Sequence, residues 1–320
     1  MSGIISKNGI GLVGRYFFCL LMFAFSQLTY ADAEKAKQEI QDLCKDPVTG
    51  EVLGPFDCRV RHEHSIRNAP FVLIPHKPSY ILASWDNTLD EQDEKNETYE
   101  TKFQFSFKLP LLPFNDEWIA FFGYTQLSVW QMANKSNSSP FRDTNYEPEV
   151  MLYYIPKGGL FNGTLRLINF GLFNHQSNGQ SGDQSRSWNR SYIQAVFELN
   201  RHNYIALTAW HRHPERKKTG PNDAGGDDNE DIEKFVGREE IRYHYVGDIF
   251  NFSVSAKNNL NQDENSYGSY QVDFTFPLNL FKKKGLRAYI QYFNGYGETL
   301  IDYNQKRDRF GVGVILADWL

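Results

Sequence analysis

Three residues that can support ester hydrolysis lie within the run Asn174–Arg190, which reads NHQSNGQSGDQSRSWNR. His175 and Ser177 are two residues apart, so on a β-strand their side chains share one face. Asn189 follows a polar stretch in which the chain can turn back onto a partner strand. A serine nucleophile, a histidine base and an amide that orients the base make up a hydrolytic triad. We therefore predict Ser177, His175 and Asn189 as catalytic residues.

The first 33 residues are typical of a cleaved secretory signal peptide. Lys7 and Arg15 lead into a short apolar stretch, and small residues follow at Ala31 and Ala33, near which we expect cleavage. The apolar stretch is too short for a helix that spans a membrane. The mature chain is thus expected to comprise an N-terminal segment, residues 34–74, and a membrane domain, residues 75–320.

Two cysteines remain after the predicted cleavage, Cys44 and Cys58. In an exported protein this spacing indicates one disulfide that closes a small loop, and two unpaired thiols are the alternative. No histidine pattern accompanies the pair, which disfavours a metal site there.

The composition favours an all-β membrane protein. Aromatic residues make up 15% of the chain, with 25 Phe and 18 Tyr, although its mean hydropathy of −0.54 is polar. No run of eighteen apolar residues follows the signal, which excludes helical membrane spans. A transmembrane β-barrel combines these properties, because its strands are apolar outside and polar inside. The net charge of −5 and the lack of a basic patch disfavour nucleic acid as a partner.

Alternating hydrophobicity predicts about twelve strands. In 101–109, for example, Phe103, Phe105 and Phe107 lie on one face and Lys102 and Lys108 on the other. The predicted strands are 80–87, 101–109, 117–130, 147–155, 164–177, 186–199, 202–211, 238–246, 248–257, 267–276, 285–294 and 308–320. An even number of strands suits a closed antiparallel barrel, in which every backbone group is satisfied within lipid.

The lengths of the connections predict the orientation of this barrel. Long and short links alternate, and outer-membrane barrels have short periplasmic turns and long extracellular loops. Both termini are therefore expected in the periplasm, and the three candidate catalytic residues near the outer rim. A soluble β-sandwich, the other all-β interpretation, gives no reason for this alternation.

The parity of the apolar residues predicts which way the candidate site faces. His175 and Ser177 have the parity of Leu167 and Phe173, and Asn189 has that of Ile193. We therefore expect the three polar side chains on the lipid-facing wall, close to the ester bonds of membrane lipids.

The run Asn174–Arg190 resembles the active-site signature of the outer membrane phospholipase A family. Residues 138–148 resemble the extracellular loop that precedes this signature, and the predicted topology extends the resemblance over about 75–320. The resemblance implies a calcium-dependent homodimeric enzyme of the bacterial outer membrane that hydrolyses acyl esters of phospholipids or lysophospholipids, with Ser177, His175 and Asn189 as its triad.

The same resemblance implies roles for further residues. The calcium ligands would be the Ser185 hydroxyl, the Gln180 carbonyl oxygen and a serine of the second copy, Ser139. The family usually has arginine where Gln180 stands, and a backbone ligand is compatible with that change. The backbone amide of Gly179 would approach the oxyanion. Gln126 matches a position that the family buries in the dimer contact, and an ordinary residue of the barrel interior is the alternative.

Two alternatives stay open at this point. The first is a passive porin-like barrel or a catalytically inactive structural relative, which loss of activity in Ser177→Ala would exclude. The second concerns the acidic run between Asp223 and Glu233, which lacks the spacing of a dedicated calcium loop and is interpreted as a solvated mobile loop.

Overall fold

The computed structural model describes residues 44–45, 49–66, 72–89, 97–135, 138–220, 223, 226–247, 249–260, 266–278 and 286–317. The predicted signal peptide and its cleavage site lie outside the described residues. The chain divides into two compact units, Met1–His62 and Glu63–Leu320. The expected domain boundary at residue 75 stays a prediction.

The described part of the first unit contains the predicted disulfide. Cys44 is bonded to Cys58, which lies in helix α1 (Pro55–Ile66). An isolated antiparallel bridge pairs Lys45 with Val52 inside the loop that this disulfide closes. The alternative of two unpaired thiols is therefore wrong.

The second unit consists mainly of antiparallel strands. They are β1 (Ile74–Pro75), β2 (Ser79–Asp86), β3 (Tyr99–Pro113), β4 (Trp118–Trp130), β5 (Phe141–Tyr154), β6 (Leu165–Ser177), β7 (Ser187–Asn200), β8 (Asn203–His213), β9 (Glu239–Val246), β10 (Asn251–Asn258), β11 (Gly268–Pro277), β12 (Arg287–Gly295) and β13 (Arg307–Ala317). A 3₁₀ turn (Gly182–Gln184) and helix α2 (Ile232–Val236) lie in the connections. None of the helices in the described ranges has the length and apolar character needed to cross a bilayer.

Within the described residues, the twelve strands β2–β13 form a closed antiparallel barrel. Each strand pairs with its neighbours in sequence, and β13 pairs with β2 to close the ring. The short strand β1 pairs with β3 beyond the end of β2. The predicted fold class and strand number are thus confirmed.

The two faces of the wall differ in the way that the alternation predicted. On β3, Lys102 and Lys108 are 2% and 0% exposed, whereas Phe105 between them is 52% exposed. On β13, Phe310 and Leu316 are exposed and Arg309 is buried. Apolar side chains therefore cover the outside of the barrel, and polar side chains face its interior.

Paired charges fill the interior near β13. Arg309 contacts three carboxylates, those of Asp86 at 2.9 Å, Glu100 at 2.7 Å and Glu298 at 2.7 Å. Lys102 donates to the same Glu298 at 2.7 Å. Because buried charges are tolerated only when they are paired and hydrogen-bonded, this network holds the strands together from inside.

Strand β5 begins six residues earlier than the sequence indicated. β5 starts at Phe141, so the prediction of a connection over 131–146 is wrong for 141–146. Asp143 and Asn145 face the interior, where their side chains accept from the backbone amides of Ile301 and Leu300, each at 3.0 Å. A strand segment that faces a polar lumen shows no apolar alternation, and hydrophobic periodicity therefore missed it.

A β-bulge in β6 changes the face on which its residues lie. Below it, Leu165 and Leu167 are buried, and at the bulge Leu172 and Phe173 are both exposed, at 56% and 50%. Above it, Asn174 is fully buried. The expectation that Leu167 shares the outer face of the candidate residues is therefore wrong, because one extra residue separates the two parts of the strand.

The interior network predicts that removal of its central cation destabilises the barrel. Arg309→Met should lower the free energy of unfolding by about 3–5 kcal/mol, because three buried carboxylates lose their shared partner. Urea unfolding in detergent micelles, followed by tryptophan fluorescence, measures the change. The matched control is Lys157→Met, which breaks an exposed ion pair with Asp116 and should change stability by less than about 1 kcal/mol. Equal effects of the two variants would contradict a structural role for the interior charges.

Candidate active site

The hairpin of β6 and β7 brings two of the predicted catalytic residues together. His175 and Asn189 lie directly opposite each other on these strands. The Nδ1 atom of His175 and the Oδ1 atom of Asn189 are 2.8 Å apart, within hydrogen-bonding distance. Strand pairing therefore converts a separation of fourteen residues into a side-chain contact.

Both residues lie on the outer wall. Asn174 and Gln176, the neighbours of His175, bond to interior groups, namely Glu147 and the buried Trp188. Side chains alternate along a strand, and His175 must therefore point outward, as the exposed Phe173 does. The same alternation places Asn189 outward between Trp188 and Arg190.

Ser177 occupies the same outer face, at the last position of β6. It lies opposite Ser187 on β7 and Tyr146 on β5. Among the hydrogen bonds of the described residues there is none between the Ser177 hydroxyl and His175. The two side chains nevertheless stand on one face of one strand, two residues apart, where a rotation about the serine Cα–Cβ bond changes their separation.

The connection after Ser177 is fixed by the buried side chain of Asn178. Its Oδ1 accepts from the backbone amides of Gln180 at 3.3 Å and Arg186 at 2.9 Å. Its Nδ2 donates to the carbonyl oxygen of Gln184 at 2.9 Å. The residue thus closes the β6–β7 connection, residues 178–186, although sequence reasoning gave it no role.

Gly179 lies in this connection at a φ of +65°, a conformation that favours glycine. A Cβ atom there would lie 3.2 Å from the Tyr146 ring. The backbone of the predicted oxyanion residue therefore adopts a shape that side chains disfavour.

On the interior side of the same strands, a polar cluster supports the site from behind. Arg190 donates to Asn174 at 2.7 Å and to Glu147 at 2.8 Å. Glu149 accepts from Tyr192 at 2.6 Å and lies 2.7 Å from Nε2 of His76. Since these residues alternate with His175 and Asn189 along the strands, the cluster fixes the backbone that carries the outward-facing pair.

One predicted metal ligand, Ser185, bonds to a carboxylate of the acidic run that the sequence analysis interpreted as a solvated loop. The Ser185 hydroxyl donates to Oδ2 of Asp228 at 2.7 Å, and Ser187 donates to the same oxygen at 3.4 Å. Asp228 belongs to the β8–β9 connection, residues 214–238, and also pairs with Lys218. No spacing rule relates Asp228 to Ser185, which explains why sequence reasoning missed this contact.

Part of the acidic run is held against the barrel, which corrects its interpretation as a solvated loop for Asp227 and Asp228, whereas Glu230 and Asp231 are exposed. Asp227 forms a buried ion pair with Arg212 at 2.6 Å. The Tyr303 hydroxyl donates to Asp231 at 2.5 Å, and burial together with this carboxylate raises the pKa of Tyr303. The bond between Asp228 and Ser185 places the same run beside the β6–β7 connection.

The other two predicted ligands lie in two different connections. Ser139, in the β4–β5 connection, donates to the carbonyl oxygen of Met132 at 3.0 Å, and its own carbonyl accepts from Trp130 at 2.9 Å. Gln180 lies in the β6–β7 connection with Ser185. Over the described ranges no three His, Cys, Asp or Glu side chains form a metal-binding group. The donors present are hydroxyl, carbonyl and single carboxylate oxygens, which fit a hard cation such as calcium.

Comparison with known proteins identifies the family. The family model described as phospholipase A1 matches residues 56–316. The phospholipase A1 of Salmonella typhimurium is 35% identical over 83% of this chain and 88% of its own length. That of Escherichia coli is 33% identical over 93% of this chain and 96% of its own length.

Solved structures agree with this assignment. Outer membrane phospholipase A from Escherichia coli superposes with a TM-score of 0.68 at 34% identity, covering 79% of this chain and 95% of that one. The Salmonella typhi outer membrane phospholipase, solved as a dimer with bound calcium, gives the same TM-score, identity and coverage. The family favours a hydrolase over a porin-like barrel and places the protein in the bacterial outer membrane. The chain belongs to the phospholipase A1 family.

Proposed function

We propose that the protein hydrolyses acyl esters of phospholipids and lysophospholipids with a triad of Ser177, His175 and Asn189 on the lipid-facing wall of its barrel. The observation that carries this proposal is the 2.8 Å contact between His175 and Asn189 on the same outer face as Ser177. The family relationship supplies the reaction class. The lengths of the connections support an orientation with the site at the extracellular rim and both termini in the periplasm.

The triad performs acyl transfer in two steps. The Ser177 hydroxyl attacks the ester carbonyl while His175 Nε2 takes its proton, and His175 then returns the proton to the leaving lysolipid oxygen. Water, activated by the same imidazole, releases the fatty acid from Ser177. Asn189 holds the imidazole through Nδ1, which keeps Nε2 directed at the serine.

The oxyanion of the tetrahedral intermediate needs hydrogen-bond donors or positive charge. The Gly179 amide follows Ser177 by two residues and is our candidate donor. The left-handed backbone at Gly179 favours glycine and fixes the direction of this amide.

Calcium is the cofactor that the family relationship supports, and the oxygen donors present fit it. Ser185, the Gln180 carbonyl and the partner's Ser139 would hold the ion, and Asp228 adds a negative charge beside Ser185. When bound, calcium supplies positive charge near the developing oxyanion. Few protein oxygens imply a modest affinity, with water in the remaining positions.

A second copy of the chain would complete the site. Gln126 faces outward on β4, because its neighbour Thr125 bonds to the interior Ser106 at 2.7 Å. It lies opposite the exposed residues Phe105 and Tyr146. Polar groups on a lipid-facing wall are costly unless they find partners. The Gln126 amide accepts from the Tyr124 hydroxyl at 3.2 Å and donates to Ser128 at 3.3 Å, and its remaining donor and acceptor capacity is what a second barrel would satisfy. Dimerisation would also enclose the acyl chain of the substrate.

The nucleophile is tested with two serine variants. Ser177→Ala should lower fatty acid release from phospholipid in mixed micelles by at least about a thousandfold, because the covalent step is lost. Ser191→Ala is the matched control. Ser191 also lies near a histidine, His213 at 2.8 Å, but it donates its proton to the carbonyl oxygen of Leu172. Substantial activity in Ser177→Ala, or equal losses in both variants, would reject the proposed triad.

The metal site predicts a shift in calcium requirement. A chelator should abolish activity reversibly, and Ser185→Ala and Asp228→Asn should each raise the calcium concentration that gives half-maximal activity by about tenfold. Asp223→Asn, which alters a carboxylate of the same connection bonded to Arg216, should leave the requirement unchanged. Full activity in the presence of chelator would show that no calcium is used.

Dimerisation predicts that activity follows the fraction of paired barrels. With calcium and a substrate analogue, chemical cross-linking should trap dimers of the wild type. Gln126→Leu should reduce that fraction and the specific activity together, because the polar contact is lost from the interface. If isolated cross-linked dimers and monomers were equally active, the requirement for a second copy would be wrong.

A further inference from the structure

We propose that Glu215 is a positioning residue of the active site, whose carboxylate orients the Asn189 amide and supplies the negative charge that a serine–histidine–asparagine triad lacks. This inference rests on the proposed function of the triad. Glu215 lies in the β8–β9 connection, outside the run Asn174–Arg190 that the sequence singled out.

Strand pairing places Glu215 beside the triad. His213, the last residue of β8, lies directly opposite Asn189 on β7. Glu215 follows it by two residues, and Nδ2 of Asn189 donates to Oε1 of Glu215 at 2.6 Å. A continuous chain of contacts therefore runs from Glu215 through Asn189 to His175.

The donor and acceptor types of Glu215, Asn189 and His175 allow one arrangement of their hydrogen bonds. An ionised carboxylate only accepts hydrogen bonds, so the amide of Asn189 must turn its NH₂ group toward Glu215. Its carbonyl oxygen then faces His175 and can only accept, which requires the proton on Nδ1. The Nε2 atom of His175 is thereby left with a lone pair, the form that can take a proton from Ser177.

Without the carboxylate, this arrangement is no longer imposed. An asparagine amide can turn by about 180° with little change in shape. In the turned state its NH₂ group would face Nδ1 and favour the tautomer that carries its proton on Nε2, which cannot accept from Ser177. Glu215 thus selects the imidazole tautomer that functions as the base.

Glu215 also adds a negative charge to this series of hydrogen bonds. The Asn189 amide is neutral, whereas the imidazolium that forms during catalysis is positive. A carboxylate bonded to the far side of the amide polarises it, and consecutive hydrogen bonds strengthen one another. The nearby cations pair with other carboxylates, Arg216 with Asp223 and Lys217 with Glu230. The charge of Glu215 is therefore directed at Asn189.

Two substitutions at position 215 separate orientation from charge. Glu215→Ala removes both contributions and should lower kcat by about tenfold to a hundredfold with little change in KM. Glu215→Gln keeps an acceptor for Asn189 but no charge, and it should fall between Glu215→Ala and the wild type. Glu230→Gln removes a charge from the same connection and should retain wild-type activity. Heat-modifiable electrophoretic mobility reports whether each full-length barrel is folded.

Testing Glu215→Gln in an Asn189→Asp variant gives a result that a purely structural role of Glu215 cannot produce. Asn189→Asp places a carboxylate against Glu215, and the two negative charges repel each other. Glu215→Gln should then raise the activity of Asn189→Asp by several fold, because Gln can donate to the new carboxylate. The same substitution would thus lower activity in the wild type and raise it in the Asn189→Asp background.

The outcomes distinguish this inference from the proposed function. If Ser177→Ala is inactive, and folded Glu215→Ala and Glu215→Gln both stay within about twofold of the wild type, Glu215 has no positioning role and the triad stands. The inference would also be overturned if Glu215→Gln lowered the activity of Asn189→Asp by the same factor as it lowers that of the wild type. Independent effects on activity combine in this way and do not reverse sign. If Ser177→Ala retains activity, the triad itself is wrong.

Discussion

The extra residue in the bulge of β6 determines which side of the wall carries the site. Strand alternation assigns successive side chains to opposite faces, and below the bulge Leu165 and Leu167 point into the barrel. Without the bulge, His175 and Ser177 would share the interior face of Leu167. With Leu172 and Phe173 both on the outside, the phase changes, and the two residues face lipid. A bulge is a common means of redirecting a side chain near an active site.

The two faces of the β6–β7 hairpin therefore carry different groups. The interior face forms a charged cluster in which Glu147, Arg190 and Asn174 satisfy one another. The outer face carries the polar pair of His175 and Asn189. A rigid interior limits the motion of the strands, which keeps groups on the other side at fixed positions for catalysis. This coupling explains how a wall backed by a charged cluster could support the proposed chemistry on its outer surface.

The sequence predicted much of this arrangement and missed definable parts. The alternation of Phe and Lys on β3 predicted a strand of the barrel wall. The spacing of His175, Ser177 and Asn189 predicted that two strands would pair as a hairpin. The bulge was not predictable from periodicity, because Leu172 and Phe173 are both apolar and either phase looks acceptable. The start of β5 was missed because Asp143 and Asn145 face a polar interior. The contact of Asp228 with Ser185 and the role of Glu215 were missed because both depend on the path of a long connection that no local pattern encodes.

The position of His175 and Asn189 on the lipid side also bears on the use of asparagine in the proposed triad. A carboxylate at residue 189 would place a formal charge on the wall of the barrel, where a low-dielectric environment makes charge costly. A neutral amide avoids that cost but stabilises an imidazolium less well. In the proposed arrangement Glu215 lies beyond the end of β8, in the connection that carries Asp227 and Asp228, and acts through the amide. The formal charge then belongs to a residue beyond the end of the strand, and its effect reaches His175 through the hydrogen bonds of Asn189.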